Sequence, residues 1–289
     1  MTTTHNAPGG TARLAAHQVA RVGFGAMQLP ATTRENAIAV LRHAVDQGVN
    51  HIDTAEFYGE ANALIRAALH PYPDGLALVS KVGAVHEREL VTAQRPEQLR
   101  ATVEANLASL DVESLAVVNL RRADFPPGII AEGDQVVDLD SQLAELTALR
   151  DEGKIGGIGL SNVDADQLRS ALPAGIACVQ NAYNLLDRAT EPVLDVCREH
   201  DIPWVPFIPL GSAFPQLPKT TEHPAVIAVA NQLNATPAQV SLAWLLTGYA
   251  NTLLIPGTTN PLHLDENLAA ANLHLDPPTM ATLDDITPA

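Results

Sequence analysis

Gly23-Phe24-Gly25-Ala26-Met27-Gln28 closes the first apolar run of the chain and decides between two α/β architectures. An open dinucleotide-binding sheet needs G-x-G-x-x-G between its first strand and helix, where the third glycine lets the helix pack closely. Gln28 stands at that third position, so the fingerprint is absent. Outward from this stretch, short apolar runs alternate with amphipathic segments about every 30 residues, the length of a βα unit. Strands are expected at Arg21 to Gly25, Val49 to Asp53, Leu76 to Val82, Leu115 to Leu120, Ile155 to Leu160, Ile176 to Gln180, Ile202 to Phe207 and Thr252 to Ile255. Helices are expected at Arg34 to Gln47, Gly59 to Leu69, Pro96 to Leu110, Asp140 to Asp151, Ala165 to Ala171, Thr190 to His200, Pro237 to Tyr249 and Pro261 to Ala270. Eight such units predict a single (β/α)8 TIM barrel over residues 11–289, behind a flexible tail at 1–10. Thr11 to Val19 reads as a hairpin plugging the barrel's bottom.

Bulk composition narrows the function. Hydrophobic residues make up 46% of the 289 positions, ample for one buried core, while the formal net charge of -16 repels nucleic acid and anionic membranes. An anionic ligand must therefore be met by local cations or helix N-termini. Cys178 and Cys197 are too few for a disulfide framework, and the ten histidines lack ligand spacing, so no metal site is expected. With no signal-like start and no long apolar span, a cytoplasmic protein is expected. The oligomeric state is left open, a monomer being compatible with the sequence.

Two strands lead into long polar loops, Arg122 to Val137 and Pro209 to Pro224. In a parallel barrel such loops lie on the C-terminal face, where active sites form, and lids are expected there. Asp53, Tyr58 and Lys81 fall at or just beyond strand ends on that face. A cation beside a phenol favours the phenolate, and Asp53 would keep Lys81 charged, which makes Tyr58 a candidate general acid. The bland alternative is a structural ion pair beside a core tyrosine. His51 shares the face of Asp53 and reads as interior filling or as a contact that supports the site residues, and Trp204 and Trp244 read as core.

Longer words make the constellation specific. Asn50-His51-Ile52-Asp53-Thr54-Ala55 with Tyr58-Gly59, then Gly159-Leu160-Ser161-Asn162, Gln180 with Tyr183-Asn184, Pro206-Phe207-Ile208-Pro209-Leu210-Gly211, and Ile255-Pro256-Gly257-Thr258 with Glu266-Asn267 run in order along the chain. Together they resemble the aldo-keto reductase family. Gly23 to Leu29, Val117 to Arg121, Leu160 to Val163 and Ala243 to Leu246 are similar to its bacterial pyridoxal reductase-like branch. The resemblance implies reduction of a small polar aldehyde, such as pyridoxal to pyridoxine, by NADPH, with NADH as the alternative cofactor. It implies catalytic roles for Asp53, Tyr58, Lys81 and Arg121. Cofactor contacts are implied for Ala26, Met27, Asp53, Ser161, Asn162, Gln180, Phe207, Ile208, Leu210, Ser212, Gly257, Thr258, Thr259, His263, Glu266 and Asn267. An open substrate pocket is implied among Met27, Phe57, Tyr58, Arg121 and Phe125.

Two positions depart from the family pattern. Where the family's strand four ends in a histidine, Asn119-Leu120-Arg121-Arg122-Ala123-Asp124 offers Arg121, with Asn119 two residues earlier as the second candidate. Arginine stays charged and only donates, so Arg121 would orient the carbonyl or bind an anion beside it; alternatively it pairs with a loop carboxylate such as Asp124. After Ile-Pro-Gly, His263 is the one potential cation for a cofactor phosphate, and Asp265 would oppose it. No long C-terminal loop is expected after Leu275. Two other classes compete: a nucleotide-binding regulatory subunit of the same fold with little turnover, and a Schiff-base lyase using Lys81, which Asp53 disfavours by holding the amine charged.

Overall fold

The computed structural model describes residues 7–211 and 218–288. Its elements, in chain order, are β1 (Thr11–Leu14), β2 (His17–Ala20), β3 (Phe24–Gly25), α1 (Arg34–Asp46), β4 (His51–Asp53), α2 (Ala61–Leu69), β5 (Ala77–Val82), β6 (Ala84–His86), β7 (Leu90–Thr92), α3 (Pro96–Leu110), β8 (Val117–Arg121), α4 (Leu139–Asp151), β9 (Ile158–Ser161), α5 (Ala165–Ala171), β10 (Ile176–Gln180), α6 (Glu191–Glu199), α7 (Pro224–Leu233), α8 (Pro237–Gly248), α9 (Pro261–Ala269) and α10 (Pro277–Asp284). β10, β9, β8, β5, β4 and β3 form, in that order, one six-stranded sheet, curled and parallel throughout.

The two remaining expected strands differ from the reading of the sequence. Residues 202–207 and 252–255 join their neighbours through isolated parallel bridges, Val179 with Trp204, Ala182 with Phe207, Trp204 with Thr252, and Val22 with Leu254. Pro203, Pro206 and Pro209 explain the first case, because a proline has no N–H to give a ladder. Backbone bonds still cross both seams, from Val205 N to Val179 O at 2.8 Å and from Gly23 N to Leu254 O at 2.8 Å.

Alternation along the strands sends every second side chain to the concave face and the others toward the helices. The helix-facing set builds the main core, from Val22 and Phe24 through Leu120 and Leu160 to Leu254. A second apolar cluster joins Val79, Val117, Cys178, Val205 and Leu253 to Leu14 and Val19 of the antiparallel β1–β2 pair. Pro8 and Gly10 carbonyls accept from Val22 and Arg21, while residues 1–6 of the expected tail lie outside the described residues.

Four elements were not expected from sequence. α7 starts at Pro224, where the second long loop was thought to end; Pro at its first position and the His223 cap are its start signals. α10 begins at an Asp276 cap and buries Leu283, so a helix follows Leu275. β6 and β7 form a hairpin directly after β5. Among the described residues, no helix is long and apolar enough to cross a membrane, and no cluster of three metal-ligating side chains occurs.

Candidate active site

Strand register assembles the site. Gly25 pairs with Asp53, Lys81 with Asn119, Asn119 with Gly159, Arg121 with Ser161, and Ser161 with Gln180. Asp53, Lys81, Arg121, Ser161 and Gln180 therefore end successive strands on one face. Two residues back, Asn119, Gly159 and Cys178 make the layer beneath, and the Cys178 thiol donates to Asn119 Oδ1 at 3.3 Å. Asn119 is fully buried there, and any Cβ at Gly159 would meet its amide oxygen. Arg121 is half-buried and faces the strand ends, so the two candidates for the fourth position occupy different depths.

Lys81 and Asp53 form a buried ion pair, and Lys81 Nζ also reaches Thr54 O at 3.3 Å. Burial by itself pulls the Lys81 ammonium down, but the carboxylate of Asp53 and the phenol of Tyr58 outweigh it, so Lys81 sits above the ordinary lysine range. The Lys81 ammonium lies 5.2 Å from the centre of the Tyr58 ring, and that ring meets Phe57 edge-on at 5.1 Å. Gln180 Nε2 donates to the other Asp53 oxygen at 2.7 Å. A charged amine is thus fixed against a phenol at the rim.

The support behind this trio was not foreseen. Thr54 and Ser80, the helix-facing neighbours of Asp53 and Lys81, donate to Asn62 at 2.8 Å and Asn106 at 2.6 Å; Asn62 donates to Asn106 and to Ser109. This network ties β4 and β5 to α2 and α3. A signal existed in the sequence, since Asn106 falls three residues after Val103 on the face of α3 that carries Leu99, Val103 and Leu110.

Arg121 does not pair with Asp124, the loop carboxylate named as its alternative partner. Its Nη2 donates to Pro127 O at 2.6 Å, and its guanidinium lies 5.6 Å from the centre of the Phe207 ring. Asp124 pairs with Arg122 instead, through two bonds of 2.8 Å. Arg122 further binds Val137 O at 2.9 Å and Gln142, which pins both ends of the Arg122 to Val137 loop to the sheet. Burial lowers Arg121 from its ordinary value, and Tyr58 opposes that shift.

Two buried polar atoms beside the trio have no protein partner, Ser161 Oγ and Gln180 Oε1. Asn162, in a left-handed conformation at φ 57°, turns its amide to the carbonyls of Arg122 and Phe125. Ile208 is also left-handed, at φ 50°, and Leu210 O accepts from Thr220 N. Ser212 lies outside the described residues. Met27 is 55% exposed at the rim, next to the buried Ala26 whose N–H donates to Asp53 O at 2.8 Å. Tyr183 turns away from the site: it stacks on Trp244 and its hydroxyl bonds Glu191, at the wall of a separate cavity of about 450 Å³.

The remaining predicted contacts gather at the start of α9. Thr258 Oγ1 accepts from Asn260 N at 3.1 Å, Asn260 caps the helix, Thr259 O is held by Asn36 of α1 at 2.6 Å, and Asn267 is buried. His263 is exposed and Glu266 half-buried. Here sequence reading missed a second histidine: His43 of α1 lies 2.6 Å from Asp265, so Asp265 is not an isolated opposing charge. Gly257 has a packing reason of its own, because a Cβ there would come within 2.5 Å of Gly25 O.

A curled parallel sheet with a buried lysine–carboxylate pair and a rim tyrosine at its strand ends defines an oxidoreductase of the aldo/keto reductase family, and the chain belongs to it: the family model matches residues 21–288. Pyridoxine 4-dehydrogenase of Escherichia coli is 42% identical over 96% of this chain and 98% of its own length. An uncharacterized oxidoreductase of Schizosaccharomyces pombe is 32% identical, over 96% of this chain and 89% of its own. Among solved structures, an aldo-keto reductase from Klebsiella pneumoniae in complex with NADPH matches with TM-score 0.80 at 26% identity, covering 96% of this chain and 95% of that one. The chain is thus a nicotinamide-dependent oxidoreductase acting on aldehyde and alcohol groups.

Proposed function

We propose that this protein is a cytoplasmic reductase of small polar aldehydes, pyridoxal among them, using NADPH, on a (β/α)8 barrel closed by residues 202–207 and 252–255 and plugged by β1 and β2. The observation that carries the reading is the Tyr58–Lys81–Asp53 arrangement beside two unpartnered buried oxygens. Ser161 Oγ and Gln180 Oε1 fit a carboxamide, Phe207 fits the face of its ring, and Thr258, Thr259, His263 and Asn267 fit the adenosine half. When bound, the reduced nicotinamide supplies a hydride to the carbonyl carbon. The carbonyl π pair moves to oxygen, which takes the phenolic proton of Tyr58, and the alcohol leaves. Lys81 stabilises the tyrosinate that remains until solvent returns the proton, and Asp53 keeps Lys81 charged. Buried free thiols at Cys178 and Cys197 suit a reducing compartment.

Tyr58→Phe tests this. The ring keeps its contact with Phe57, so folding and cofactor affinity should hold, while turnover of pyridoxal falls by about 10²–10⁴-fold, the worth of a placed proton donor. NADPH oxidation is followed under conditions where chemistry limits the rate. Turnover near wild type would remove Tyr58 from the role, and a wild type idle on every aldehyde while binding NADPH would favour the regulatory subunit.

A further inference from the structure

Arg121 is a cation without a counter-charge. Among the described residues no carboxylate lies within ion-pair distance of it, and the one its loop offers, Asp124, is held by Arg122. Its position is nonetheless built. Gln94 Nε2 donates to Arg121 O at 2.8 Å and fixes the end of β8, Pro127 O takes Nη2, and Phe207 lies beneath the guanidinium. Gly128, at φ 110°, brings the loop so close that a Cβ would come within 2.6 Å of Arg121 Nη2. Only part of a five-donor fork is used by these contacts. A partly buried, unpaired charge is costly, so the fold retains it where a ligand supplies the anion.

The geometry points to Arg121 as the residue that selects aldehydes carrying an ionised hydroxyl ortho to the carbonyl. The inference rests on the aldehyde reductase reading above. In such a substrate the carbonyl oxygen must lie at Tyr58 to receive its proton, which leaves the adjacent oxyanion toward Arg121, at the end of β8 beside Lys81 of β5, whose ammonium lies 5.2 Å from the centre of the Tyr58 ring. A guanidinium edge presents two parallel N–H donors, one for each oxygen, and it does so at every working pH. A histidine could meet the oxyanion only while protonated. The cation therefore assists this substrate class more than a neutral aldehyde, which offers it no charge to bind.

The test uses matched aldehydes: pyridoxal against its 3-O-methyl ether, and 2-hydroxybenzaldehyde against 2-methoxybenzaldehyde. kcat/KM is measured in the wild type, Arg121→Met and Arg121→Lys across the ionisation of the ortho hydroxyl. NADPH dissociation constants check that each variant retains its cofactor site. In the wild type the ratio of hydroxy to methoxy substrate should climb as the hydroxyl ionises. In Arg121→Met that ratio should fall by about 10- to 100-fold, as expected for a lost charge-assisted bond, with Arg121→Lys between. Equal losses across each pair, or a pH-flat ratio in the wild type, would overturn the assignment while leaving aldehyde reduction intact. A wild type that reduces none of the four would overturn both.

Discussion

His51 sits in the layer below Asp53, fully buried, with neither ring nitrogen bonded to anything. Its ring occupies the space that a Cβ on Gly23 would need, which accounts for glycine there. Burial pushes its pKa from 6.5 down to about 4. The unfolded chain therefore takes up a proton near 6.5 that the folded chain refuses until near 4, and stability falls as pH drops through that window. The slope approaches about 1.4 kcal/mol per pH unit at most. His51→Leu should flatten the dependence, so thermal unfolding at pH 7, 6 and 5 should fall less in the variant. Parallel curves for the two proteins would assign the acid sensitivity to other groups. Sequence alone placed His51 correctly on the interior face, but its isolation depends on what surrounds it.

Among the elements, the junction of β3 with residues 252–257 is a tight seam near the site. Gly25 and Gly257 face each other so closely that a Cβ on either comes within 2.5 Å of a backbone oxygen on the other segment. Backbone cannot rotate aside, so Gly257→Ala must part the two segments, at about 1–3 kcal/mol for such overpacking. That displacement moves Thr258 and Thr259 with it. The expected result is a melting temperature several degrees lower together with weaker cofactor binding, read by calorimetry and by cofactor fluorescence titration. Gly248→Ala, at the end of α8 where a Cβ meets nothing within 4 Å, is the control and should lower neither, an alanine in a helix being if anything stabilising. Loss of stability in both variants alike would mean that the seam is not special. Helix α7 shows the opposite limit of reading elements: its start signals were present, yet a proline-rich approach masked them.

For the whole molecule, a net charge of -16 sets a field that every phosphate of a dinucleotide must enter. Near the start of α9 lie His263, exposed, and His43, paired with Asp265. A preference for NADPH over NADH at this place would draw on these side chains and on the helix N-terminus that Asn260 caps. Asp265→Asn should strengthen NADPH binding selectively by removing an opposing charge, and His263→Arg should do so by adding a permanent cation. Dissociation constants for both cofactors decide the matter. NADPH affinity unmoved by either change would place the phosphate elsewhere.

What the sequence determined by itself follows from local pattern. Alternation and helical period located the six paired strands and most helices to within a few residues, with Pro96–Leu110, Ala165–Ala171 and Ile176–Gln180 placed to the residue. Strand-end placement put Asp53 and Lys81 on the C-terminal face, whereas Arg121, Ser161 and Gln180 were singled out by resemblance to the family, and register joins all five. Tertiary structure decided the pairings. Asp124 lies two residues from Arg122 and three from Arg121, and only the path of the loop assigns it to the former. Asp265 and His43 are 222 positions apart, and Thr54, Asn62 and Asn106 meet only once two helices dock on two strands. Distances along the chain carry no information about such meetings, since they are set by how strands register and helices pack, and charge and hydrogen bonding act through space.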